Sequence, residues 1–465
     1  MITHSSSFSV EIRDSRWSEA KVFCSGFGRD FKCQERALLE NVPCPPAPRL
    51  LDLLRIASTV FFTDRIVKRD RRNGPSSWPR TISLTLEVAD PNFWSDRNIT
   101  QQLSEVLQFV SGDRWTIRFS RPASEHALGI EWQRPLASTF FPSNPRLCLY
   151  SGGLDSAAGL AHQLSLPDDK PIVPITVRHR SDLGNKVRNQ LRSFSRLLGH
   201  ELHSVVVPFE MSSPSKLAQS EETSQRSRAF LFIAVGAAVA DAYQVSRLEM
   251  YESGVGAINA PLLAGMEGLQ ATRGSHPHFL YLMSKFVSQI SGRTLQVVLP
   301  FLGITKGELV ASLSRPELYE IANATCSCPS FPIRVHKAGL QQSCGVCAAC
   351  LFRRLAMYSA GIEEDTKNYQ YDFMHNKCDI PRKKTRCLAA FLNQVDCLHE
   401  TEHGRLPLCI EKHLHQTHVF DHGHLAANIV DLYRRYRMEW IGLIRHAQNS
   451  GCKWTELFDL PSKAA

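Results

Sequence analysis

Leu147-Cys148-Leu149-Tyr150-Ser151-Gly152-Gly153-Leu154-Asp155-Ser156-Ala157-Ala158-Gly159-Leu160 reads as a strand, an anion loop and the first turns of a helix. The four leading apolar residues suit a short buried parallel strand, and the run stops at Ser151. Gly152 and Gly153 let the backbone approach an anion closely. The N–H groups that follow open toward it, at a helix N-terminus whose dipole favours negative charge. Ser151 and Ser156 add hydroxyl donors. Asp155 is the odd member, a carboxylate beside a phosphate nest, and it makes sense where a magnesium ion bridges it to phosphates. No G-K-[S/T] follows, so this is not a Walker loop. A plain strand-to-helix turn would account for the two glycines but not for the whole string.

At 465 residues the chain is longer than one ordinary domain and implies two or three. Hydrophobic content of 43% and charged content of 21% are those of a globular protein with ample core. No run of about 18 apolar residues predicts a membrane span. Residues 1–10 lack the basic-then-apolar pattern of a signal peptide, so the expected location is cytoplasmic. Fourteen cysteines in such a chain point to thiols or metal ligands rather than disulfides. The formal charge of +9 is modest, and part of it lies in Lys68-Arg69-Asp70-Arg71-Arg72 and Arg382-Lys383-Lys384-Thr385-Arg386, which read as solvated faces. With no aromatic-interleaved platform or recognition helix, direct nucleic-acid binding is not expected. An anionic partner such as ATP suits the balance.

Residues 1–140 read as an accessory α+β domain. A helix over 50–65 places Leu51, Leu54, Ile56, Val60 and Phe61 on one apolar side, and a strand over 81–88 alternates Ile82, Leu84, Leu86 and Val88 with polar residues. A helix over 101–110 and a second alternation, Trp115, Ile117 and Phe119, flank the Gly112-Asp113 turn. Residues 142–145 form a linker. From residue 146, strands over 171–178, 202–208, 247–251 and 295–300 alternate with helices over 185–198 and 227–242, predicting a parallel sheet with helices on both faces. Such sheets hold ligands at their carboxyl edge, where Glu252, Ser253, Gly254, Asn259 and His276 would meet a heterocycle. Local loop hydrogen bonds would explain the same residues. Beyond residue 357 the chain is rich in Cys and His and helical in period, most clearly over 428–446.

Cys344-Gly345-Val346-Cys347-Ala348-Ala349-Cys350 is the second strong signal. Successive C-x-x-C intervals turn three sulfurs toward one point, and a fourth thiolate would close a structural zinc site. Cys326 and Cys328 both qualify, and an iron–sulfur cluster is the alternative occupant. Cys378, Cys387, Cys397 and Cys409, with His399, His403, His413, His415 and His418, match no closed zinc spacing and read as buried free thiols and surface histidines.

Ser151 to Ser156 resembles the PP-loop of the N-type ATP pyrophosphatases, which cleave ATP between the α and β phosphates. With the cysteine knuckle it resembles the 7-cyano-7-deazaguanine synthase (QueC) family. Arg228 matches an arginine at a helix start. Pro300, Phe301, Lys306 and Glu308 match a P-F-x-x-x-x-K-x-E motif, and Thr325, Ser327, Cys328, the three knuckle cysteines and Arg353 match T-x-S-C…C-G-x-C-x-x-C-x-x-R. That alignment selects Cys328 as the fourth ligand beside Cys344, Cys347 and Cys350. The likeness covers residues 146–357. Additional regions at both ends are similar to the extended QueC-like proteins of bacterial anti-phage systems, the QatC type.

The resemblance implies an α/β PP-loop fold, adenine nucleotide alpha hydrolase-like, over 141–357, between the 1–140 region and a helical 358–465 region. It implies ATP, Mg2+ and Zn2+ as cofactors, with Ser151, Gly152, Gly153, Leu154, Asp155, Ser156 and Val177 at the nucleotide. Asp155, Arg228 and Lys306 would be catalytic. The activity implied is adenylation of 7-carboxy-7-deazaguanine or a similar carboxylate, followed by transfer to ammonia or to an amine of a protein partner in a defence system. The other readings are a PP-loop enzyme of another amide- or thio-forming type, and an ATP-binding scaffold without catalysis.

Overall fold

In a computed structural model of the protein, the residues described are 7–11, 31–69, 79–121, 141–167, 170–179, 181–199, 202–211, 222, 224–262, 273–328, 333–334, 341–374, 380, 385–419, 428–452 and 454–455. Expectations touching residues 1–6, Asp70, Arg71, Arg72, Cys378 and residues 382–384 lie outside them.

The first region contains β1 (Ser7–Glu11), β2 (Phe31–Cys33), α1 (Glu35–Leu39), α2 (Pro48–Ile66), β3 (Thr81–Glu87), α3 (Pro91–Trp94), α4 (Arg97–Ser111) and β4 (Arg114–Ser120). β3 pairs in parallel with both β1 and β4. Parallel neighbours require a crossover, and α4 supplies it. The region is therefore βαβ in character rather than the α+β expected. α4 begins four residues earlier than its period suggests, because the Asp96 carboxylate accepts from Asn98 N–H at 2.8 Å and Ile99 N–H at 3.3 Å. α2 departs from a one-sided helix: Asp52, Arg55, Ser58, Thr59 and Asp64 are buried along with its apolar residues. A helix enclosed on all sides loses its polar face, and its charges then need partners.

The chain continues with β5 (Arg146–Leu149), α5 (Leu154–Leu164), β6 (Ile172–Arg178), α6 (Ser181–Leu198), β7 (Val205–Met211), α7 (Arg228–Ala242), β8 (Arg247–Met250), α8 (Gly254–Ile258), α9 (Pro277–Ser291) and β9 (Gln296–Val298). The six-stranded sheet runs β2-β7-β6-β5-β8-β9. All neighbours pair in parallel except β2, which lies antiparallel on β7 at the edge. β7 extends to Met211, three residues beyond expectation, because Phe31 pairs with Met211 and Cys33 with Phe209. The core runs unbroken across the linker. Phe31, Leu54, Phe61 and Phe62 share it with Leu147, Val177, Phe209, Phe230 and Phe279, and the Phe31 ring stacks 5.5 Å from that of Phe209.

Then follow α10 (Lys306–Val310), α11 (Tyr319–Ala324), the hairpin strands β10 (Ile333–Arg334) and β11 (Gln341–Gln342), α12 (Ala348–Ser359), α13 (Arg386–Cys397), α14 (Leu408–Gln416) and α15 (Ile429–Asn449). α15 buries Ile429, Leu432, Tyr433, Tyr436, Trp440, Leu443 and Ile444, the residues its period singles out. They form a second core with Leu355 of α12, Phe391 of α13 and, across the site, Val255 and Ile258 of α8. Among the described residues no helix is long and apolar enough to cross a membrane.

Candidate functional site

β5 sits between β6 and β8, and the chain leaves it toward β7 on one side and returns to β9 on the other. The carboxyl ends of β5 and β8 are thus a topological switch point, where connections diverge and leave a crevice. The glycine loop lies at the β5 end of it. Tyr150 N–H donates to Ile175 O at 2.8 Å, and Thr176 Oγ1 donates to Tyr150 O at 2.8 Å, so the strand exit is held from β6. Gly152 has φ +73°, a conformation that favours glycine. Ser156 Oγ donates to Gly153 O at 2.9 Å and lies 3.2 Å from Ser151 Oγ. Gly153 caps α5 without a side-chain bond, so the N–H groups of the first turn are available to an anion.

Behind this loop is a charge cluster drawn from three elements. Lys306, the first residue of α10, forms an ion pair with Asp155 in the first turn of α5. Both side chains are largely buried, at 14% and 13% exposure, so bulk salt screens them little. Glu252, just past β8, shares a hydrogen bond with Asp155, and burial together with the Asp155 charge holds its carboxyl well above the ordinary range. Burial alone would lower Lys306. The Asp155 and Glu252 carboxyls outweigh it and keep the ammonium above its usual value. The hydroxyl of fully buried Ser253 has no hydrogen-bond partner, a polar group that a bound ligand would satisfy.

The other expected residues take different places. Gly254 opens α8 where a Cβ would lie 2.0 Å from Leu302 O and 2.6 Å from Leu432 Cδ2, so only glycine admits the 302 backbone and α15 there. Asn259 ends α8 in the left-handed conformation. His276 is buried; its Nδ1 accepts from His278 N–H as the cap of α9, and its ring packs 5.3 Å from Phe109 and 6.3 Å from His413. Val177 lies in the core of β6, paired with Val207. Arg228 begins α7 on the surface, 5.8 Å from the Phe232 ring, whereas the buried arginine of that turn is Arg226, which donates to Ser111 O at 3.3 Å.

Three residues not singled out from sequence support the site. Gln190 of α6 is buried; its amide donates to Gly152 O at 3.3 Å and to Ala324 O at 3.2 Å, and its carbonyl accepts from Tyr150 OH at 2.9 Å. Arg435 and Glu439 of α15 reach the turn that carries Lys306.

Cys328, Cys344, Cys347 and Cys350 place their sulfurs within 4.8 Å of one another, and Cys344 and Cys350 are 3.8 Å apart. A zinc tetrahedron with bonds of about 2.3 Å has edges of about 3.8 Å, so the four could hold a metal ion such as zinc. Hydrogen bonding by Cys328, with Cys347 and Cys350, pushes the Cys344 thiol far below its usual range, while the same sulfur-to-sulfur bonds push Cys347 and Cys350 well above theirs. The Cys326 sulfur is directed elsewhere, 4.0 Å from Cys328 O. Arg353 ties the knuckle inward, donating to Thr325 O at 3.2 Å and Ala322 O at 2.9 Å. Among the described residues no second group of three or more such ligands comes together. His399, His403, His415 and His418 are exposed, as expected, whereas His413 is buried, because it bonds Ile258 O at 3.3 Å inside the second core; of the cysteines expected to be buried, Cys397 is exposed and Cys387 and Cys409 are half-buried. Comparison of the chain with family models and with curated proteins finds no match.

Proposed function

We propose that the protein is an ATP-dependent ligase of the PP-loop type that activates a carboxylate as an acyl adenylate and passes it to an amine. The observation that carries this reading is the Asp155–Glu252–Lys306 cluster behind a glycine loop at the sheet's switch point. A phosphate loop binds the triphosphate through backbone and Ser151 and Ser156 hydroxyls. Asp155 and Glu252 offer the hard oxygen ligands magnesium takes, and the ion bound there would neutralise phosphate charge.

Lys306 turns from Asp155 to the phosphates as negative charge builds on them. A substrate carboxylate oxygen attacks the α phosphorus, the bond to the bridging oxygen breaks, and pyrophosphate leaves. The amine then adds to the acyl carbon and loses a proton, and AMP departs with the former carboxylate oxygen. The substrate we infer is a 7-carboxy-7-deazaguanine-like acid, and the amine is ammonia or belongs to a protein partner of an anti-phage system. The four cysteines would hold zinc in a closed, structural site. Purified protein with ATP, magnesium and carboxydeazaguanine should release pyrophosphate in step with the acid supplied. Bound but intact ATP would overturn this substrate assignment and leave the scaffold reading or a PP-loop enzyme acting on a different acid.

A further inference from the structure

α10 has five residues, too few to be stable alone, and it carries Lys306 at its first position. Its start is a capping box: Thr305 Oγ1 accepts from Glu308 N–H at 3.1 Å, and Glu308 Oε2 accepts from Thr305 N–H at 2.8 Å. α15 lays a second layer over that box. The Thr305 hydroxyl donates to Glu439 Oε1, Arg435 pairs with Glu308, and Arg435 also donates to Gly303 O at 2.8 Å. Asp431, one turn earlier on α15, holds the same guanidinium at 2.8 Å. Gly307 admits the arrangement, since a Cβ there would lie 2.4 Å from Glu439 Oε1 and 2.6 Å from Ser359 Cβ of α12. The residues before and after Lys306 are thus clamped from the C-terminal region, while its amine reaches the opposite way to Asp155.

We infer that Glu439 and Arg435 are positioning residues: the C-terminal helix completes the site by holding Lys306 against the phosphate loop. Its catalytic consequence rests on the ligase reading; the geometry does not. The clamp is separable from the docking of α15, which depends on Leu432, Tyr436 and Trp440 in the second core. Removing both clamp residues should therefore free the α10 turn without releasing the helix.

Trace acetylation of the full-length protein by limiting acetic anhydride, read lysine by lysine by mass spectrometry, tests this. A paired ammonium reacts poorly, so Lys306 should label slowly in the native chain. In Glu439→Ala combined with Arg435→Ala, its labelling should rise several-fold relative to exposed Lys285 and Lys367, with Glu439→Gln restoring the native value. In the pyrophosphate assay the double variant should lose about tenfold in kcat, the equivalent of one hydrogen bond, while KM for ATP stays nearly constant. Unchanged Lys306 labelling in a folded double variant overturns the inference. A uniform rise across all lysines with a collapsed melting temperature also overturns it, since the residues would then only hold the fold. If native protein releases no pyrophosphate but Lys306 labelling rises in the variants, the positioning stands and the ligase reading falls.

Discussion

Lys306 at the start of α10 and Asp155 in the first turn of α5, 151 residues apart in sequence, meet as an ion pair. The pair keeps a buried carboxylate and a buried ammonium compensated by each other. Asp155→Asn leaves Lys306 facing Glu252 alone. Pyrophosphate release should fall to background while the melting temperature changes little, because the loop's backbone bonds do not use the carboxylate. Pyrophosphate assay and thermal melting on one preparation check both halves.

Glu252 governs proton linkage at the site. Its carboxyl lies well above the ordinary range, so the folded protein holds a proton that the unfolded chain has lost. Stability from this group is greatest below the ordinary glutamate range and declines as pH rises through the folded value. On the ligase reading, a divalent cation held by Asp155 and Glu252 would compete with that proton. Magnesium affinity should therefore strengthen with rising pH, with protons released on binding, and Glu252→Gln should flatten that slope. Calorimetry in buffers of different ionisation enthalpy measures it.

Glu439 makes a separate prediction. Burial raises its carboxyl to about 7, against the attraction of the Thr305 hydroxyl, with Glu308 and Arg435 close by. A raised acid costs stability as pH climbs from the ordinary glutamate range to that value. The full cost above it is about 3 kcal/mol as an upper bound. Glu439→Gln should stabilise the protein at pH above about 7 and be neutral well below the ordinary range. Denaturant melts across pH show the sign.

The four-cysteine cluster and the glycine loop are linked by a short path. Arg353 holds Thr325, and Gln190 joins the neighbouring Ala324 carbonyl to Gly152. Stripping the metal should lower the melting temperature and weaken ATP binding together. Gln190→Ala should weaken ATP binding with metal content intact. Cys328→Ser should lose the metal, while Cys326→Ser should keep it. Elemental analysis with nucleotide titration separates these outcomes.

How much of this is visible in sequence follows from how local each feature is. The glycine loop is a contiguous string, and the knuckle is set by C-x-x-C spacing, so both can be read directly. Glu252 was legible as a site residue but not as the partner of Asp155, because their meeting depends on β8 lying beside β5, a matter of strand order. Gln190 carried a usable signal: a polar residue inside the buried stripe of Val187, Leu191 and Phe194. Arg435 and Glu439 carried none, since charges beside an apolar helix stripe look like a solvated face. Parallel pairing of β1, β3 and β4 was equally hidden, as alternation does not distinguish parallel from antiparallel neighbours.

Oxygen transfer tests the ligase account most directly. With ATP, magnesium, an amine donor and carboxydeazaguanine labelled with heavy oxygen in its carboxylate, the account predicts that one labelled oxygen appears in the phosphate of AMP. Unlabelled AMP, or ADP in its place, would contradict it.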